Sequence, residues 1–215
     1  MRYALLIALL AVEISVLAQT DSTERAILYN RFINKQIEES DYSKLYSLWN
    51  QRFKSDKYPD QPLDQNGEVH YTFICDFKDR DCEFLFNRTM EWLSVNYGLV
   101  PANVYSNLRD GKVIFRFNLS LPDDYTCTPT IIISIRDGRI RYEFIGISYQ
   151  LYYPPDYSSG VPERTVNFKP YPLILRKPSE WNQILMLLRE TKKLFSTEVQ
   201  NLTDYIINYD HSNKF

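Results

Sequence analysis

A chain of 215 residues is long enough for one sizeable domain with an appendage, or for two small ones. With 44% apolar and 24% charged residues its composition is that of an ordinary globular protein, and a net charge of −2 excludes the global basic field expected of a nucleic-acid binder. Seventeen tyrosines are a high count, and that side chain is favoured on wet, half-apolar surfaces outside the cytoplasm.

The first stretch, MRYALLIALLAVEISVLAQT, has one cation at Arg2 and an apolar run from Tyr3 to Val12. Ala18 follows, with Val16 two positions before it. This is the pattern of a cleaved export signal, assigned to residues 1–18. The run is about half of the roughly 20 residues that a spanning helix needs, and Glu13 interrupts it. No later stretch is apolar enough to cross a bilayer, so no transmembrane span is expected after cleavage. The expected location is the periplasm, the extracellular space or the cell envelope.

Residues 19–57 read as an N-terminal helical segment. Asp21 followed by Glu24 is a helix-start pair. Ala26, Tyr29, Ile33 and Ile37 form an apolar stripe, the ESD at 39–41 interrupts it, and Leu45, Leu48, Trp49 and Phe53 resume it. Two short helices or one kinked helix are expected. Residues 58–68 are polar and rich in turn formers, and are expected to link this segment to a main domain at 69–209, with a tail at 210–215.

The main domain opens with VHYTFICDF (69–77), which alternates Val69, Tyr71, Phe73, Cys75 and Phe77 against His70, Thr72, Ile74 and Asp76. Residues 79–98 read as a helix capped by Asp81 and ended by Gly98, with Leu85, Phe86, Met90, Trp92, Leu93 and Tyr97 on its apolar side. Two hairpins follow, at Asp110–Gly111 and Asp137–Gly138, each expected to have a two-residue turn. These turns would set Arg109 against Lys112, Leu108 against Val113, and Arg136 against Arg139. Phe115, Phe117, Ile133 and Tyr142 then fall on the core side. Residues 152–172 carry five prolines and cannot form a central strand. A last helix is expected from about Pro178 to Tyr209. The order β-α-β-β-β-β-α, with consecutive hairpins, indicates an α+β fold with helices on one face of a curved antiparallel sheet.

The wording of three segments, CEFLFNRTMEWLSVNY, DGKVIFRF and IIISIRDGRIRYEFIGISY, resembles an uncharacterised family of exported bacterial domains. The resemblance spans roughly Val69 to Ile206, and its most specific parts are Trp92-Leu93 and the Asp137-Gly138 hairpin. It implies a fold like that of the TATA-box-binding protein, and it brings no assigned activity and no catalytic residues. In a bacterial protein the sequons at Asn87, Asn118 and Asn201 are chance matches.

No catalytic or cofactor motif is present. There is no phosphate loop, no nucleophile elbow and no zinc-protease signature, and only His70 and His211 supply imidazoles. Cys75, Cys82 and Cys127 match no metal box, and no disulfide is expected to be required. Asp76, Asp79 and Asp81 surround a helix start, where negative charge is stabilising, and Asp123–Asp124 read as a turn. The open face of the sheet is the candidate binding surface. It is expected to carry Tyr105, Arg109, Lys112, Arg116, Arg136, Arg139 and Arg141, with Asn107, Ile114, Ile132 and Ser134 interleaved and Asp76 and Glu143 as the nearby acids. The expected function is that of a non-catalytic binding domain for an envelope protein, glycan or lipid head group. An exported hydrolase working through carboxylates is the alternative.

One stretch, RYEFIGISYQLYYPP (141–155), breaks the alternation. Unbroken pairing would put Ile145, Ile147, Tyr149 and Leu151 on the open face, and so add Ile147 and Tyr149 to the binding surface. Three outcomes are open: an apolar patch covered by another segment, which is favoured, a bulge near Gly146 that turns the later residues into the core, or a free binding patch.

Overall fold

The computed structural model describes residues 24–53, 62–64, 66, 68–98, 104–156, 158–169 and 171–212. The export signal, Asp21, parts of the 58–68 linker and the end of the tail lie outside the described residues. The chain forms two compact units. One holds the described residues up to Val69 together with Lys169–Arg189, and the other holds His70–Phe168 together with those from Glu190 on.

In the first unit two helices, α1 (residues 24–33) and α2 (Glu39–Arg52), flank a break at 34–38 in which Lys35 has φ 56°. The break falls before the ESD rather than at it. Glu39 and Asp41 sit in the first turn of α2, where the helix dipole favours acids. The expected stripe of α1 is also displaced. Tyr29 and Ile33 are each 51% exposed, whereas Glu24 and Leu28 are fully buried. The Glu24 carboxylate accepts hydrogen bonds from the backbone N–H groups of Leu173 and Ile174 at 2.8 and 3.0 Å. A buried polar anchor, not hydrophobic periodicity, therefore sets the inward face of α1. Trp49 and Phe53 pack on Trp181 with ring centroids 5.5 and 5.1 Å apart.

The second unit is built on an antiparallel sheet of seven strands: β1 (Tyr71–Asp76), β2 (Tyr105–Asn107), β3 (Lys112–Arg116), β4 (Leu119–Ser120), β5 (Tyr125–Arg136), β6 (Arg139–Tyr153) and β7 (Arg164–Phe168). The order is β1-β6-β5-β3-β2, with β4 beside β5 and β7 beside β6. Strand β7 pairs with β6 and, among the described residues, with no other strand. Helix α3 (Cys82–Tyr97) packs on β5, and the later turns of α4 (Trp181–Ser212) cover the same face: Phe195 stacks on Phe144 with centroids 4.1 Å apart. Asp81 accepts from the Phe84 N–H at 2.7 Å, and Gly98 ends α3 with φ 59°. Leu85, Trp92 and Leu93 of α3 are buried with Phe115, Ile133 and Tyr142, while Phe73 and Phe117 are half-buried.

The hairpin at Asp137–Gly138 has the expected register, Arg136 opposite Arg139. The hairpin before it does not. Asn107 opposes Lys112 and Ser106 opposes Val113, so residues 108–111 form a four-residue loop. The slip is by two residues, and side chains alternate with period two, so every strand residue keeps its face. Leu108 and Arg109, however, leave the ladder and are exposed in the loop. Gly111 holds this loop against β5: it has φ 56°, and a Cβ there would lie 2.1 Å from the Ile135 carbonyl oxygen.

Candidate binding face on the sheet

Three cross-strand rows make up the open face at the hairpin end. Asp76, Arg139 and Arg136 are neighbours in the first. Ile74, Arg141, Ser134, Lys112 and Asn107 follow one another in the second. Thr72, Glu143, Ile132, Ile114 and Tyr105 form the third. Arg116 lies one step further along, opposite Thr130. The alternation of each strand places these side chains opposite the helices. Of the expected surface residues, Tyr105, Lys112, Arg116, Arg136, Arg139 and Arg141 stand on this face, and Arg109 is carried at its rim by the 108–111 loop.

Ile147 and Tyr149 do not stand there. Thr130 opposes Ile145 but Thr128 opposes Ser148, so Gly146 and Ile147 together face Pro129 alone. This is a bulge, with Gly146 at φ 59° in the conformation such bulges reserve for glycine. One extra residue reverses the alternation beyond it. Ile147 is therefore buried, and Tyr149 is fully buried on the helix side, with its hydroxyl 2.6 Å from that of Thr191 on α4. The favoured expectation of a covered patch is overturned, because the bulge takes these residues off the open face. Pro129 disturbs its other flank too. Strands β3 and β4 keep one common register against β5 but break at Phe117–Asn118, beside Pro129, which has no N–H to give. There the Thr128 hydroxyl bonds the Asn118 side chain at 2.8 Å in place of a ladder contact.

The charges on the face are unevenly balanced. Arg139 pairs with Asp76 at 2.6 Å and Arg141 with Glu143 at 3.0 Å. Glu143 also has His70 Nε2 at 3.3 Å, outside hydrogen-bond geometry. Among the described residues Lys112, Arg116 and Arg136 have no carboxylate partner. A depression of about 390 Å³ lies between the first two rows, and Ile74, Lys112, Ser134, Arg136, Arg139 and Arg141 are among its lining. Ile74 (58% exposed) and Asp110 at the rim complete a surface that the cation pattern alone does not reveal, although the position of Ile74 was legible from the alternation of β1.

The other candidate groups lie apart from this face. Asp81 caps α3, and Asp79, Asp123 and Asp124 are turn residues with φ between 57° and 62°. The three cysteines are free. Cys127 is buried, which pushes its thiol up to about 12. Burial together with Asp137 and Asp81 raises that of Cys82 as well. No group of three or more His, Cys, Asp or Glu side chains among the described residues is arranged to hold a metal ion.

Comparison with solved structures identifies the architecture. A TBP-like protein from Parabacteroides distasonis superposes with a TM-score of 0.54 over 69% of this chain and 97% of its own, at 20% identity. A DUF4468 family protein from Bacteroides ovatus gives a TM-score of 0.48 over 72% of this chain and 96% of its own, at 10% identity. No family profile and no curated protein matches the chain.

Proposed function

We propose that this chain, an α+β protein with a TBP-like fold, is exported and acts as a non-catalytic binding domain of the cell envelope. Its open sheet face would meet an anionic partner there. The reading is carried by one observation: Lys112, Arg116 and Arg136 project from the face with no acid partner among the described residues. Unpaired cations on one surface concentrate positive potential where a partner can use it. The exposed Tyr105 on the same face adds a side chain suited to wet interfaces. Export rests on the signal pattern of residues 1–18. Export and the net charge of −2 both argue against a nucleic-acid partner. The fold carries none of this, since one fold hosts many functions.

The test has two parts. Full-length protein with a C-terminal tag should fractionate with the envelope or the medium, with its new N-terminus just after Ala18. The mature chain, used as bait on envelope extracts, should capture an anionic component. A Lys112→Glu/Arg116→Glu/Arg136→Glu variant of unchanged melting temperature should not. Retention of the tagged chain in the cytoplasm, or capture unaffected by the charge reversal, refutes the proposal.

A further inference from the structure

We infer that the depression floored by Ser134 is a site for a phosphomonoester on a sugar-sized body. This deepens the reading above, on which it rests for where such a ligand would be met. Three observations converge on it. First, the Ser134 hydroxyl is buried in the sheet surface and has no hydrogen-bond partner in the chain. A buried hydroxyl without a partner costs free energy, and an acceptor that reaches it once the long Lys112 and Arg141 side chains swing aside would recover that cost.

Second, the register sets that hydroxyl between two cations. Lys112 is its cross-strand neighbour on β3 and Arg141 its neighbour on β6. Side chains so opposed have Cβ atoms about 5 Å apart, so both can reach a group seated over Ser134. One row further, Arg136 directly opposes Arg139. Like charges in that relation destabilise a sheet. Asp76 answers Arg139 only, and nothing among the described residues answers Arg136 or Lys112. Of the four lining cations Arg139 is paired with Asp76 and Arg141 with Glu143, so among the described residues Lys112 and Arg136 carry the unpaired charge; the one lining acid, Asp110, accepts from the Asn107 amide at 2.7 Å. Two unpaired cations at one depression suit an anionic group. A phosphomonoester has about two charges and three acceptor oxygens, matching an ammonium, a guanidinium fork and a hydroxyl donor.

Third, the space exceeds the phosphoryl group. A depression of about 390 Å³ is within the range of small-ligand sites, and a bare phosphate would leave most of it unfilled. Ile74 and Ile135 complete the lining, and none of the lining residues carries an aromatic ring. The lining offers ammonium and guanidinium donors but no ring to stack upon, so a compact body rich in acceptor oxygens fits it better than a base.

The experiment is calorimetric and NMR titration of the mature chain with a hexose 6-phosphate. Free hexose and sulfate at matched ionic strength serve as controls, and phosphatidylcholine vesicles with and without phosphatidic acid are run in parallel. Binding of the hexose phosphate is expected, with shifts confined to Ser134, Lys112 and their strand neighbours, and none with hexose. Ser134→Ala keeps every charge, so a merely electrostatic patch would be indifferent to it. We expect it to weaken binding about tenfold or more, as loss of a hydrogen bond to a charged group does, with no fall in melting temperature. Lys112→Met serves as a second variant, with the same expected loss. No binding by about 1 mM, where association is already weak, overturns the inference. So does equal affinity for sulfate, an affinity unchanged in both variants, or binding to phosphatidic acid vesicles alone. If charge reversal abolishes envelope capture while the hexose phosphate fails to bind, this inference falls and the broader reading stands; the converse result reverses the two.

Discussion

Gly111 and Gly146 both have positive φ, yet they answer different demands. A Cβ at Gly146 would meet only the Thr130 hydroxyl, at 3.8 Å, so its substitution strains the backbone alone. A Cβ at Gly111 would collide with the Ile135 carbonyl, and it would disturb the 2.6 Å bond from the Ile135 N–H to the Gly111 oxygen. Gly146→Ala should therefore cost about 1–2 kcal/mol, the usual penalty of a left-handed alanine. Gly111→Ala should cost clearly more, and urea denaturation of the two variants checks the order. Glu24 is the second decisive residue. Glu24→Ala strands two buried N–H donors, those of Leu173 and Ile174. At about 1–3 kcal/mol for each, the loss should be about 2–6 kcal/mol. Trp49 and Trp181 belong to the same unit, so their fluorescence during denaturation reports this loss directly.

Among the elements, β6 is the one whose two halves obey opposite rules. Up to Phe144 its even-numbered residues are buried, and beyond Gly146 the buried ones are the odd-numbered Ile147 and Tyr149. Such a strand specifies its register twice, once on each side of the bulge, and a slip would expose one of the two sets. Ile147→Asp should accordingly destabilise the protein by about 3 kcal/mol or more, because it buries an unpaired charge. Tyr149→Phe removes only the hydroxyl that meets Thr191, and should cost about 1 kcal/mol. Differential scanning calorimetry of the pair distinguishes core from surface. A melting temperature unmoved by Ile147→Asp would place that side chain outside the core. Pro129 explains why the irregularity occurs where it does, since both neighbouring ladders give way beside it.

For the whole molecule, the buried acids of the core set how the protein meets alkali. Burial raises the Cys127 thiol to about 12 and raises the phenol of Tyr149 well above its ordinary value. Tyr97 is raised by burial and by its hydrogen bond to Glu198, and Tyr171 by burial and the nearby Glu24. In the unfolded chain a thiol ionises near 8.5 and a phenol near 10. Above those values the unfolded state binds fewer protons than the folded one, so stability falls as pH rises. The contribution of these groups is complete below about pH 8.5, and for Cys127 the decline runs on to about 12. Unfolding free energy measured by urea titration should thus hold level near neutrality and drop between about pH 9 and 12. Cys127 should also resist alkylation at mild alkaline pH until denaturant is added, while the half-buried Cys82 and Cys75 react first. Mass spectrometry of the native protein checks that order.

The sequence by itself determined the fold class and the faces of the sheet. Local chemistry sufficed for this: the alternation of 69–77, the Asp81 and Gly98 caps of α3, and the Asp137–Gly138 turn that pins Arg136 against Arg139. Six of the seven polar and aromatic surface candidates follow from that parity alone, and a two-residue slip in the earlier hairpin left it intact. Only the tertiary structure decided the outcome beyond Gly146. The bulge differs from an unbroken strand by a single inserted residue, and the choice between them lies in what waits on each side: Thr191 and the core on one, solvent and cations on the other. It also decided α1, whose apolar spacing indicates one face while two backbone N–H groups about 150 residues away hold Glu24 on another. Hydrophobic periodicity is local and additive, whereas a buried carboxylate must find its donors wherever the chain brings them. The placement of Ser134 belongs to the same kind of fact, since the register of β3, β5 and β6 together sets it between Lys112 and Arg141.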